Sequence, residues 1–443
     1  MRSILIVIII IEEGVKIMKY AYTNAYILDG TENMEPLSGH AVLTDGEIIE
    51  AIVPDDHDFS EYTVVDLEGQ YLLPGLINMH VHLPASGKPK KKPTDPVKLV
   101  KTMTKNSFLR RATYTLCKSY AKTELLSGVT TMRTVGGIAN VDSLLRNRII
   151  GGKDMGPRIL SADMAISVPG GHMADSLAYS AQTEEEAAAY VRKIAKNNPD
   201  LIKLMITGGV LDAKVKGEPG VLKMQPELVK AACDEAHRLG MKVAAHVESP
   251  EGVRVALENG VDTIEHGAEP DEQIIQLFKE KKASHIATIS PALPYALFDR
   301  EISHVSEMEQ YNGNVVFRGI LDCAKACLKN GIPVGLGTDT GCPYITHYDM
   351  WREINYFHKY CNVSTKFALY TATLGNAKIA QLDDKIGSIE AGKSADFIVC
   401  PENPLDDLTV LRNLSLVVAR GKAIKNPKIR KMPEVEKELD KFI

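Results

Sequence analysis

Eight short apolar runs, each followed by a stretch with helical spacing, occupy about 260 residues, the size of a (β/α)8 cylinder. Two strand-rich segments bracket them, and metal-type side chains recur at the ends of the runs. Together these observations predict an α/β protein: a (β/α)8 TIM barrel with a small β-sandwich domain built from the N- and C-terminal segments. The expected boundaries are 1–75 and 385–443 for the two parts of the β domain and 76–384 for the barrel.

The first β segment carries "KYAYTNAYILDG", "GHAVLTDGEIIEAIV" and "YTVVDLEGQYLLPG", in which alternation, glycine turns and β-branched residues read as strands. Residues 386–425 have the same texture in "IGSIEAGKSADFIVC" and "LSLVVARGKAI". Between them lie the eight runs: 75–83, 128–135, 157–165, 201–207, 242–248, 261–267, 284–290 and 333–339. The stretches 98–126, 183–198, 226–239, 250–259, 270–282 and 313–330 carry helical apolar spacing, with starts such as "TEEE" and "QPEL". A doubly wound open sheet is the alternative, but no G-x-G-x-x-G follows any run. The closing "KNPKIRKMPEVEKELDKF" reads as a solvated terminal helix, and "SGKPKKKPTD" (86–95) as a solvated basic loop.

The 443 residues are 44% hydrophobic and 25% charged, which suits a globular chain with a sizeable core. A net charge of −5 without a basic face disfavours nucleic acid as a partner. The seven cysteines are scattered and odd in number, which predicts reduced thiols and a cytoplasmic setting. The apolar "ILIVIIII" of residues 4–11 is far shorter than the roughly 20 residues of a membrane helix and lacks a cleavage site after it. It reads as an edge strand or as an extension upstream of Met18, with no membrane role.

Within "LLPGLINMHVHL", His80 and His82 are two residues apart. On a strand they share a face, whereas on a helix they would splay by about 200°. At the C-terminal end of a barrel strand, where active sites form, two such imidazoles converge on one metal ion. Lys203 in "LIKLMIT", His246 ending "KVAAHVE", His266 ending "VDTIEHG" and Asp339 ending "PVGLGTD" repeat the pattern, so five of the eight runs deliver a metal-type residue to one end. Burying the aspartate and the lysine without partners would cost several kcal/mol each. A cation resolves that cost for Asp339. Lys203 either pairs with Asp339 or Glu248, or loses its proton on burial and adds carbon dioxide to become an anionic carbamate.

With "PGLINMHVHL", "GVTTMR", "IKLMITGGV", "VAAHVE", "DTIEHG" and "GLGTD" in this order, and "IGSIEAGKSADFIV" after them, the chain resembles the amidohydrolase superfamily over essentially everything beyond residue 19. Within it the chain is most similar to the imidazolonepropionase-related and prolidase-like branch. The resemblance implies two divalent metal ions. His80 and His82 would hold one with Asp339, and His246 and His266 the other. Carboxylated Lys203 would bridge them beside a hydroxide, with Asp339 as the catalytic proton shuttle. Donors of nitrogen and oxygen alone suit zinc. The implied activity is hydrolysis of a C–N amide bond in a dipeptide or N-acyl amino acid. Cyclic-amide hydrolysis or deamination is the enzymatic alternative, and a non-catalytic metal-binding protein the alternative of another class. Family analogy further implies a homo-oligomer.

Three residues are candidate substrate contacts. His172, in "SVPGGHMAD", lies on a loop after the third run and either meets substrate or is a surface histidine. Arg133 either neutralises a substrate carboxylate or makes an internal ion pair. Relatives often carry Arg-Asp where this chain has Arg133-Thr134. Glu248 shares a strand face with His246, where relatives often have His or Tyr; it orients a ligand, meets a substrate amine, or is a solvated charge.

Overall fold

The structure is a computed structural model that describes residues 18–89 and 95–443. The apolar segment 4–11 and most of the basic stretch of the 86–95 loop lie outside the described residues. Strands β1 (Lys19–Ile27), β2 (His40–Asp45), β3 (Ile48–Pro54) and β4 (Thr63–Pro74) come first. Then follow β5 (Leu76–Val81), β6 (Val129–Thr134), β7 (Arg158–Ser161), β8 (Ala165–Ser167), β9 (Ala178–Ser180), β10 (Leu201–Met205), β11 (Lys242–Val247), β12 (Thr263–His266), β13 (Ser284–Ala287) and β14 (Val334–Leu336). The chain closes with β15 (Phe397–Cys400), β16 (Leu416–Ala419) and β17 (Lys422–Lys425).

The two ends of the chain pair in one sheet, ordered β17-β16-β15-β4-β1-β2-β3. The expected sandwich is therefore a single seven-stranded sheet that coils over its own core. Tyr22 of β1 meets Phe397 of β15 edge-on at 4.8 Å. At the far edge, Ile49 N–H donates to the Lys393 carbonyl at 2.8 Å, just ahead of β15. Such coiling is the usual response of a large twisted sheet with an apolar face to bury.

The middle of the chain is α/β with parallel strands. One sheet is ordered β14-β13-β12-β11-β10-β8-β9 and the other β5-β6-β7. The backbone ladder does not draw a closed cylinder among the described residues. The two sheets are joined by single bonds and side chains instead. Asp339 N–H donates to the His80 carbonyl (2.8 Å), and Asn376 Nδ2 donates to the carbonyls of Ile77 (2.7 Å) and Leu336 (2.9 Å). On the other side Asp200 N–H donates to the Ser161 carbonyl at 2.8 Å. Proline supplies part of the reason: Pro157 and Pro333 stand immediately before β7 and β14 and bring no N–H to a ladder.

The core is a large cluster of aliphatic and aromatic residues between the strands and the helices outside them. Local signals fix several helix starts. Thr183 accepts from Glu186 N–H at 3.2 Å, and Ser306 and Glu309 form a reciprocal capping box. Val141–Ile150 and Met350–Cys361 are among the helices that escaped the sequence pattern. The run 157–165 divides between β7 and β8 of different sheets, and the run 284–290 is strand only to Ala287 before a helix begins at Ile289.

The terminal helix is a further correction. Pro433–Leu439 is docked rather than solvated, with Val435 and Leu439 buried. Arg352, fully buried, is gripped by Asp349, by Glu436 at 3.0 Å and by Asp440 at 2.5 Å. Arg412 reaches the same two tail carboxylates, so the acidic face that looked solvated in sequence is a counter-charge. Among the described residues no helix is long and apolar enough to cross a membrane.

Candidate metal centre

The strand ends bring His80, His82, Lys203, His246, His266 and Asp339 to one place. His80 is the penultimate residue of β5; His82 lies one residue beyond its end. Asp339 stands three residues after β14, and both Asp339 (φ 52°) and His266 (φ 66°) are in the left-handed region, a strained backbone that recurs at functional sites. Gly337 allows the approach of this segment: a Cβ there would lie 2.5 Å from the Cβ and backbone nitrogen of His80. Asp339 Oδ1 is 3.5 Å from His80 Nε2 and 3.3 Å from His82 Nε2. The ring centroids of His80 and His266 are 5.0 Å apart, and those of His246 and His266 4.7 Å. Donor atoms of His80, His266 and Asp339 lie within 4.8 Å of one another, as do those of His246, Glu248 and His266.

Each imidazole is turned by a partner on its other nitrogen. His80 Nδ1 donates to Glu265 Oε2 (2.8 Å), His82 Nδ1 to the Gly136 carbonyl (2.8 Å) and His266 Nδ1 to Thr288 Oγ1 (2.7 Å). His246 Nε2 donates to the Gly208 carbonyl at 3.2 Å. Such bonds fix the tautomer and leave the opposite nitrogen with a free lone pair, the habit of metal-ligating histidines. Burial holds His80, His246 and His266 well below the ordinary imidazole range, so they are neutral and able to donate that lone pair.

Lys203 is fully buried, and its Nζ has no hydrogen-bond partner among the described residues. The salt bridge to Asp339 or Glu248 weighed from the sequence is not made with either. Burial pulls the amine down to about 8. Burial pushes the Asp339 carboxyl up, but the facing His80, His82 and Lys203 outweigh it and leave it at about 2. An orphaned buried amine, neutral imidazoles with pre-set tautomers and an ionised carboxylate, all nitrogen and oxygen donors, fit divalent metal ions of the zinc type.

Arg133 requires a correction. Its guanidinium is 95% withdrawn from solvent and bound to Glu265 at 2.7 and 2.8 Å, to the Met79 carbonyl at 2.7 Å and to Thr263 at 3.1 Å. These bonds commit it to the internal ion pair, the second of its two readings. Through Glu265 it orients His80. Replacing Arg133 with leucine leaves that buried carboxylate without its cationic partner, so unfolding should become easier by about 3–5 kcal/mol. Urea denaturation measures this; an unshifted midpoint would show that Glu265 does not need the pairing.

His172 does reach the site. Its ring stacks on His246 with centroids 4.2 Å apart and planes 5° from parallel, and its Nδ1 is held by Asp212 at 2.5 Å. Glu248 reaches it too, with Oε2 shielded and unpartnered among the described residues. Burial raises the Glu248 carboxyl to about 8, assisted by the nearby charges of Asp339 and Asp212. Glu265, Thr288 and Asp212 were not singled out in the sequence. A charged residue directly before His266 inside an apolar run was the one signal available for Glu265.

Residues 71–424 match the amidohydrolase family. A prolidase-like protein of Bifidobacterium longum has the same fold, with TM-score 0.84 and 33% identity, over 96% of this chain and 99% of that one. A Xaa-Pro dipeptidase with methionine bound in its active site has TM-score 0.79 and 29% identity, over 92% of this chain and all of that one. The ochratoxinase of Aspergillus niger is 28% identical over 248 residues, 55% of this chain; the chain matches half the length of that curated relative.

Proposed function

The chain belongs to the amidohydrolase family and is a hydrolase of carbon–nitrogen bonds, and within that class we propose that it cleaves the amide of a linear, peptide-like substrate, a dipeptide or an N-acyl amino acid. Its two parallel sheets are read as arcs of one (β/α)8 barrel over 76–384, with 1–75 and 385–443 forming the β domain. His80, His82 and Asp339 would hold one divalent ion and His246 and His266 a second, both zinc, with Lys203 between them as a carbamate formed when its neutral amine adds carbon dioxide and loses a proton. Bound there, such ions polarise a carbonyl and make water more acidic.

The protein's own groups do the rest. Asp339, ionised beside His80 and His82, accepts the proton of the attacking water at a carboxylate oxygen and passes it to the leaving nitrogen. His172, oriented by Asp212 and stacked on His246, positions the substrate carbonyl. Arg133 and Glu265 keep His80 in place. One observation supports this reading above the rest: the unpartnered Nζ of Lys203, fully buried among four imidazoles and a carboxylate, a placement without benefit unless the amine is converted or ligated.

Dipeptides and N-acyl amino acids incubated with zinc-loaded and chelator-stripped protein test it. The expected result is a free amino acid without ammonia from the loaded protein alone. Ammonia would transfer the assignment to a deaminase, and no cleavage of any amide would favour a non-catalytic role.

A further inference from the structure

Glu248 Oε2 is a carboxyl oxygen shielded from solvent, beside the histidine cluster, with no hydrogen-bond partner among the described residues. It projects from the end of β11 two residues after His246, on the same side of the chain. Its carboxylate lies within 4.8 Å of the donor nitrogens of His246 and His266. Beyond it the wall is bare: a Cβ on Gly209 would stand 3.3 Å from the His172 ring and 3.5 Å from Glu248 Oε2, so the absence of a side chain keeps the space between those two residues open.

The neighbouring charges are negative. Asp212 and Asp339 both act on Glu248, and Asp212 is already committed to His172. The buried arginine of this face, Arg133, is engaged by Glu265, and Lys203 Nζ reaches neither carboxylate of the pocket. In its ionised form Glu248 is completed by a cationic donor, and the described residues do not bring one within hydrogen-bond distance of Oε2.

Chain geometry says which part of a substrate can supply it. The α-nitrogen of an amino-terminal residue is about 2.5 Å from the carbonyl carbon of that residue, across two bonds. Its acceptor must stand beside the metal centre, where Glu248 is; the terminus of a basic side chain would lie several ångströms farther off, and the carboxylate of the leaving residue carries the wrong charge to meet it. We infer that Glu248 receives the free α-ammonium group of the substrate and so makes the enzyme a dipeptidase that discriminates against N-acyl amino acids. This rests on the proposed amide hydrolysis and narrows its substrate class.

An isosteric pair tests it on the zinc-loaded full chain: alanyl and propionyl derivatives of one amino acid, which differ only in the α-amine. The wild type should prefer the alanyl compound in kcat/KM by about 10- to 100-fold, the range of a hydrogen bond to a charged group. In Glu248→Gln the ratio should fall to within a few-fold of unity, chiefly through a higher KM for the alanyl substrate, while zinc per chain stays as in the wild type. Glu248→Asp should recover part of the preference. A wild type that cleaves the propionyl compound equally well overturns the inference and leaves amide hydrolysis standing. Loss of zinc in Glu248→Gln overturns it too, by making Glu248 a ligand. No cleavage of either compound removes the hydrolase reading itself.

Discussion

Lys203→Ala is expected to abolish amide hydrolysis and lower the zinc bound per chain. The lysine is fully buried and makes no hydrogen bond among the described residues, so alanine removes no salt bridge. A merely structural lysine would therefore be replaced at little expense, because deleting an unpartnered buried amine relieves desolvation. A bridging carbamate, by contrast, is a ligand to both ions. Its loss should exceed the about 10–100-fold cost of removing an outer partner of a ligand. Metal analysis and initial rates on the same preparation separate the two cases. Full zinc occupancy with a near-wild-type rate would remove the carbamate.

Asp339→Asn should lower kcat by about 10²–10⁴-fold, the contribution of a positioned proton-transfer group. Asparagine keeps an oxygen at the proposed ligand position but does not take up a proton as a carboxylate does. Because Asp339 is held at about 2, its carboxylate is in the accepting form at every working pH above that, and a falling pH within this range should not disable it. The KM should change far less than kcat. A variant that retains zinc and turns over within tenfold of the wild type would assign the proton transfer elsewhere.

The site was more legible than the walls that hold it. His80 and His82 declared themselves by a spacing that has meaning only on a strand, and Lys203, His246, His266 and Asp339 by recurring at the ends of runs. What escaped lies in contacts between distant segments. The partner of Arg133 is 132 residues away, and that of His80 is 185 residues away; no local pattern encodes either. Arg133 admitted two readings, a substrate anchor or an internal ion pair, because an arginine at a strand end has the chemistry for both, and it is the position of Glu265 that supplies the ion pair. The terminal helix shows the same limit from the other side. Its acidic residues have the spacing of a solvated face, and it is the burial of Arg352, in a helix the pattern missed, that makes Glu436 and the following Asp440 structural. The cylinder was inferred from the number of strand–helix units, whereas the ladder between the two sheets is replaced by Asn376 and single backbone bonds that periodicity does not report.

Carbon-13 NMR of the protein loaded with zinc in ¹³C-bicarbonate reads the state of Lys203 directly. One carbamate carbonyl resonance is predicted in the wild type, absent from Lys203→Ala. Two zinc ions per chain with no such resonance would contradict it.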